Sequence, residues 1–256
     1  MGRLDTILVK IGLIESRTRA KNEIENGNVL VNGKVETKAS KIVSEEDNIT
    51  INNKLDYVSR GALKLLKALD VFNIRLDDKV MLDIGSSTGG FCDVALRNNI
   101  KKVIAVDVGK NQFHEKLRDN SKIELHEETD IRYFEIKENI DLVTIDISFI
   151  SVTKIIDKLS EISSLKEIVL LIKPQFECGK EIADKYKGIP LNKEVHLNVI
   201  KNIINKFKKI NFNIQNLTSS PIKGGSGNIE YLAYFTKGEI KKIDIIKIID
   251  DAFKEW

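Results

Sequence analysis

The chain has 256 residues, 42% of them apolar and 31% charged, with 41 Lys and Arg against 38 Asp and Glu, which fits one large and one small globular domain. No apolar run is long enough to cross a bilayer, and the start lacks a basic-then-apolar leader, so a cytoplasmic protein is expected. Cys92 and Cys178 have neither CxxC spacing nor a neighbouring histidine pair, which argues against a disulfide framework or a zinc site; no metal is expected.

The net charge of +3 is small, but eight basic residues against five acidic ones between Met1 and Lys41 account for all of it. Apolar spacing there predicts two short helices, over Leu4 to Leu13 and Ala20 to Ile24. Ser16 is placed to cap the second, and Arg17, Arg19 and Lys21 then fall on its first turns, where cations oppose the helix dipole. Phosphate binding would account for them. Alternation in VLVNG, with Asn32 and Gly33 as turn residues, predicts a hairpin, followed by a strand at Ile49 to Ile51. The matching positions Arg3-Leu4-Asp5, Gly12-Leu13, Ser16-Arg17, Ala20, Ile24, Gly27, Val29 and Val31-Asn32-Gly33 resemble the small RNA-binding domain named after ribosomal protein S-four. Residues 1–52 are assigned to that domain, 53–59 to a linker and 60–256 to a second domain.

The second domain begins with an amphipathic helix in YVSRGALKLLKALDVF, with Ser59 as its expected cap and Lys64 in its first turns. A buried strand, Lys79 to Ile84, runs into the loop DIGSSTGGF and a helix over Gly90 to Arg97, the opening of a Rossmann-like unit. The middle glycine of the dinucleotide fingerprint is replaced by Ser87, which disfavours a pyrophosphate at close approach. A cofactor with an amino-acid tail fits better. Its ammonium would meet Asp83 and its carboxylate the loop N–H groups, as in S-adenosylmethionine. A second strand ends at Asp107, about 20 residues beyond the loop, where an acid accepts ribose hydroxyls. That spacing is shared with nicotinamide enzymes. A third strand, Lys122 to His126, leads to Asp130, placed for an adenine amino group.

Two further strands, DLVTID and EIVLLIK, deliver Asp146 and Lys173 to the carboxyl end of the sheet, and Pro174 holds Lys173 extended. A long helix is expected over Asn192 to Lys208, then strands at Asn213 to Thr218 and Ile229 to Phe235, the last placing Glu230 at its start. The amphipathic end, KKIDIIKIIDDAFKEW, should pack back on the sheet. His114, His126 and His196 share no spacing and are read as surface or structural residues.

The motifs YVSRGALKL, DIGSSTGGF, DVG, DISFIS, Lys173 to Lys180 (KPQFECGK) and SPIKGGSGNIEY together resemble the TlyA family, rRNA cytidine 2′-O-methyltransferases also called hemolysin-like, whose catalytic domain is of the FtsJ type. The resemblance implies an α/β Rossmann-like class I fold with a seven-stranded, mostly parallel sheet and a small α+β amino-terminal RNA-binding domain. It implies S-adenosylmethionine as cofactor and ribosomal RNA, 16S or 23S, as partner, and places the family's Lys-Asp-Lys-Glu catalytic tetrad on Lys64, Asp146, Lys173 and Glu230. The cofactor set becomes Asp83, Gly85, Ser87, Thr88, Gly89, Gly90, Phe91, Asp107, Asp130 and Asp146. Arg3 and Arg60 join Arg17, Arg19 and Lys21 as RNA-binding candidates, and a monomer is expected. Two positions depart from the family pattern: Asp130 where Asn is commoner, and Lys110-Asn111 where an aromatic follows DVG. Another structured RNA, or membrane lysis as the older family name suggests, are the alternative readings; the charge-mixed terminal helix lacks the cationic face of a lytic peptide.

Overall fold

Helical and alternating segments of the amino-terminal region separate cleanly in the computed structural model, which describes residues 1–25, 27–44, 46–51 and 57–255. Strand β1 (Gly2–Arg3) leads into helix α1 (Leu4–Lys10), followed by α2 (Arg17–Glu25), β2 (Val29–Val31), β3 (Lys34–Glu36), β4 (Ile42–Val43) and β5 (Ile49–Ile51). Antiparallel β3-β2-β5 form one small sheet, and β1 pairs with β4 in a second. Asn32 and Gly33 both have positive φ (53° and 75°), the requirement of a type I′ hairpin turn. Ser16 Oγ accepts from Arg19 N–H at 3.3 Å, as expected of a cap, and α2 begins three residues before Ala20 because that cap starts it at Arg17. Leu4, Leu8, Ala20, Ile24, Val29 and Val31 close the core of this unit.

Met1–Asp56 and Tyr57–Trp256 are two separate packing units. Tyr57, Val58 and Ser59, expected in the linker, pack within the larger unit. The Arg97 guanidinium lies 4.3 Å above the Tyr57 ring, and Val58 N–H donates to Asp93 at 2.9 Å. Asn53–Asp56, the rest of the expected linker, lie outside the described residues.

The larger unit contains α3 (Ala62–Phe72), β6 (Val80–Ile84), α4 (Gly90–Arg97), β7 (Lys102–Val106), α5 (Glu115–Arg118), β8 (Ile123–His126), β9 (Leu142–Ile145), α6 (Ile156–Ser160), β10 (Glu167–Ile172), α7 (Pro174–Glu177), α8 (Lys180–Lys185), α9 (Lys193–Lys208), β11 (Asn213–Ser219), β12 (Tyr231–Thr236) and α10 (Ile245–Glu255). Its seven strands run in the order β11-β12-β10-β9-β6-β7-β8 and are parallel except for β12, which is antiparallel to both neighbours. This is the mixed, mostly parallel sheet expected.

Every residue of β6 is buried, because apolar layers cover both faces of a parallel sheet. Strand order reverses between β6 and β9, and in open α/β sheets the crevice outside the carboxyl ends at such a reversal is where ligands bind. Helix α9 starts where Asn192 caps it, its side chain accepting from Val195 N–H at 3.1 Å. Helix α10 buries Ile249 and Ala252 against α9 and β11, so the terminal segment packs back as its periodicity predicts. No helix among the described residues is long and apolar enough to cross a membrane.

Candidate active site

Backbone register assembles the polar centre. Ile84 pairs with Ile145 across β6 and β9, so the next residues, Gly85 and Asp146, meet where the chain leaves the sheet. Ile172 pairs with Tyr231 across β10 and β12, which sets Lys173 beside Glu230. The first turn of α3, packed on β12 and α4, supplies Lys64.

Lys64 Nζ donates to Glu230 Oε2 at 2.9 Å and reaches Asp146 Oδ2 at 3.5 Å. Lys173 Nζ lies 2.5 Å from Asp146 Oδ1, an ion pair lacking hydrogen-bond alignment, and donates to Ser148 Oγ at 2.8 Å. The four ionisable groups thus form one chain, Lys173, Asp146, Lys64, Glu230, with both lysines and Glu230 less than a tenth exposed. Pro174 at the start of α7 leaves Lys173 extended (φ −113°, ψ 95°), as the sequence predicts. Burial by itself disfavours the Lys64 ammonium, but the charges of Asp146 and Glu230 outweigh it, and its pKa moves up. Burial likewise pushes the Asp146 carboxyl up, and the Lys64 and Lys173 charges overcome that and take it down. Lys64 and Asp146 are therefore a charged pair.

The glycine loop lies against this centre. Gly85 has φ +84°, and a Cβ there would stand 2.7 Å from the Asp146 carbonyl oxygen, so only glycine allows the loop to approach β9 so closely. Gly89 and Gly90 carry the chain into α4, and Phe91 turns into the hydrophobic core instead of the loop mouth. Thr88 accepts His114 N–H through its carbonyl at 3.2 Å. Asp107 accepts from Ser87 N–H at 2.8 Å and Gly109 N–H at 2.6 Å, which ties the two strand-end loops together at the expected ribose position. Asp130 is forked by its own neighbour Arg132, at 3.0 Å to Nε and 2.5 Å to Nη2, so an adenine amino group would share that carboxylate.

Asp83 differs most from expectation. It is 1% exposed, and its oxygens accept from Thr144 Oγ1 at 2.7 Å and Cys92 Sγ at 3.2 Å. It faces inward between β9 and α4, with both carboxylate oxygens engaged by these donors. Burial, with only neutral donors to offset it, pushes its pKa up to about 6. Ser86, by contrast, keeps a buried Oγ that has no partner among the described residues. An orphaned hydroxyl on a strained glycine loop, with acids at the next two strand ends, suits a nucleoside cofactor carrying an amino-acid tail.

The expected RNA-binding cations of the smaller unit are each drawn into an ion pair. Arg3 and Arg17 both reach the buried Asp5, at 2.9 and 3.1 Å, and the Arg3 contact foremost holds that carboxyl well below the usual range. Arg19 pairs with Glu15 and Lys21 with Glu25, and all four side chains keep a solvent-facing part. Arg60 is half-buried in the turn before α3, its carbonyl accepting from Leu63 N–H. That turn starts α3 at Ala62 through backbone bonds, and no side chain serves as the cap expected of Ser59.

Ser148 and Gln175 join the site without a sequence expectation of their own. Both stand inside quoted motifs, SFIS and KPQFE, and the signal available was a polar side chain within two residues of a strand-end ionisable group.

Residues 57–237 match the model of the FtsJ-like methyltransferases, and residues 2–49 that of the S4 domain. The chain belongs to the FtsJ-like methyltransferase family. Among its relatives is the 23S rRNA (cytidine-2′-O)-methyltransferase TlyA of Campylobacter jejuni, 40% identical over 87% of this chain and 94% of that protein. The 16S/23S rRNA (cytidine-2′-O)-methyltransferase TlyA of Mycobacterium tuberculosis is 33% identical over 91% of this chain and 88% of its own length. A solved structure from Streptococcus thermophilus, named as a hemolysin, is 38% identical and superposes with a TM-score of 0.78 over 99% of this chain and 96% of that one. The TlyA resemblance read from the motifs is thereby borne out.

Proposed function

We propose that the protein methylates the ribose 2′-hydroxyl of a cytidine in ribosomal RNA, using S-adenosylmethionine. The observation that carries this reading is the buried Lys173–Asp146–Lys64–Glu230 chain at the sheet's switch point, against a glycine loop suited to that cofactor. The cofactor supplies a methyl carbon bonded to a positively charged sulfur. A 2′-hydroxyl is a weak nucleophile at neutral pH, so its proton must leave as oxygen bonds to that carbon and the carbon–sulfur bond breaks. Lys64, kept as an ammonium by two carboxylates, is the fixed cation that holds the target ribose. Lys173 has two roles open to it, each tied to a charge state: as a neutral amine it takes the proton, and as an ammonium it stabilises the developing alkoxide, with Asp146 and Ser148 setting the direction of its Nζ. Glu230 orients Lys64.

The S4 domain supports a structured RNA as substrate, bound by shape and phosphate, with the nucleotide drawn out of its stack for reaction. Cytidine and the choice between 16S and 23S rest on the named activities of the TlyA relatives. Incubation with methyl-labelled cofactor and separated ribosomal subunits, followed by nucleoside mass spectrometry, tests the reading. Label in 2′-O-methylcytidine is expected; no label in either subunit defeats it. In the same assay Lys173→Ala should lower turnover by about 10²- to 10⁴-fold with cofactor affinity kept. Retained turnover would remove Lys173 from that role.

A further inference from the structure

One buried side chain of the polar centre has no part in the roles above. Gln175, in the first turn of α7, is 8% exposed, and its Nε2 donates to Glu230 Oε1 at 3.2 Å. Glu230 Oε2 is the oxygen that takes Lys64. Gly224 also stands against Glu230, where a Cβ would lie 2.1 Å from the same Oε1. Backbone and amide together confine one carboxylate oxygen and leave the second to Lys64.

Stability accounts for the amide nitrogen of this glutamine, which satisfies the buried Glu230 Oε1, but not for its amide oxygen. Gln175 Oε1 is buried without any donor among the described residues, which costs free energy that an apolar side chain of similar size would not. Turning the amide over would set that oxygen against the Glu230 carboxylate, so the orientation is fixed by its one partner. A half-satisfied buried amide whose bond goes directly to a member of the ionised chain points to the reaction.

We propose that Gln175 is a positioning residue of methyl transfer: its amide N–H fixes the Glu230 carboxylate so that a single oxygen holds Lys64. The proposal rests on the methyltransferase reading. It has a second consequence that needs no turnover. A donated hydrogen bond damps the carboxylate's charge, so losing it strengthens the pull of Glu230 on the Lys64 ammonium.

The test uses the full chain with Gln175→Leu and Gln175→Glu. Five quantities are measured: the urea midpoint, cofactor affinity by calorimetry, kcat and KM on ribosomal subunits, and the Lys64 titration by NMR of ¹³C-methylated lysines. Q175L, which leaves Glu230 Oε1 without this donor, should lower the urea midpoint modestly, bind cofactor and RNA as the wild type does, and lose kcat by about 10- to 100-fold, the scale of a misplaced catalytic group. Its Lys64 should titrate at higher pH. Q175E sets a second carboxyl against Glu230, so the pair shares a proton and the acid limb of kcat moves to higher pH. An unchanged kcat in Q175L, or a loss that only tracks a lower midpoint with Lys64 unmoved, overturns the proposal. If the wild type methylates no RNA, the functional reading fails separately, and the lysine titration still decides whether Gln175 governs the Glu230–Lys64 pair.

Discussion

Asp83→Asn should make the protein more stable at alkaline pH and leave it little changed in acid. Asp83 is fully enclosed and among the described residues its carboxylate accepts from the Thr144 hydroxyl and the Cys92 thiol, which burial holds in its neutral form. Its folded pKa of about 6 lies above the unfolded 3.8. The folded state therefore binds the proton more tightly, and the stability this gives is complete below pH 3.8 and is lost as pH rises through 6. The difference of about 2 pKa units corresponds to about 3 kcal/mol at 1.36 kcal/mol per unit. Asparagine has nearly the same shape, cannot ionise and escapes that loss, although it rearranges two hydrogen bonds at about 1 kcal/mol. Urea unfolding of both proteins at pH 4 and pH 8 gives the test. The variant should gain roughly 2 kcal/mol at pH 8 relative to the wild type and nothing, or a small deficit, at pH 4. Other titrating groups cancel in the variant-minus-wild-type difference. A difference independent of pH would show that Asp83 does not titrate as its surroundings require.

Lys64→Met leaves Asp146 and Glu230 facing one lysine where there were two, and removing one partner of a buried pair costs about 3–5 kcal/mol. The double variant K64M/E230Q should recover part of that in a denaturant cycle, while neither restores methylation. Gly224→Ala forces Glu230 off its position and should lower kcat at least about tenfold with cofactor affinity retained, as read by calorimetry beside the methylation assay. His196, whose ring contacts the Tyr231 hydroxyl and the Pro190 carbonyl, is taken down to about 4 by burial. Its unfolded pKa is 6.5, so stability is complete above that and falls by about 3 kcal/mol as pH drops to 4; His196→Gln should flatten this slope in urea titrations between pH 7 and 4.

What the sequence made legible were features fixed by short-range pattern. Strand ends at Asp83, Asp107, Asp146 and Lys173 follow from apolar runs stopped by glycine, acid or proline, and the structure puts all four where those runs end. The hairpin at Asn32-Gly33 has the only backbone a two-residue turn of that type accepts. Side-chain direction was a different matter. Asp83 lies at a strand end whichever way it faces, and only Thr144 and Cys92, 61 and 9 residues away in the chain, turn it inward. Arg3 and Arg17 look like free cations in sequence because the acid that binds both, Asp5, is buried by the packing of α1 on α2. The β1–β4 pair, two residues per strand, is too short for any alternation to register.

Glu230 depends on the one feature of the sheet that breaks its parallel order. Ligand-facing groups in an open α/β sheet collect at the carboxyl ends of parallel strands, which is how β6, β9 and β10 contribute the glycine loop, Asp146 and Lys173 to the candidate site. A parallel β12 would have brought its carboxyl end, at Thr236, to that edge and its start to the opposite one. Because β12 runs antiparallel, Tyr231 pairs with Ile172 and the residue before it arrives beside Lys173. The reversal also brings in the whole preceding turn, with Gly224 against Glu230 and Ser220 N–H donating to the Glu230 carbonyl at 2.8 Å. A seven-residue β11 paired alongside then fixes β12 from its outer side. The centre is thus completed by backbone pairing, and changes in register between β10 and β12 would separate Glu230 from Lys64 without altering either side chain.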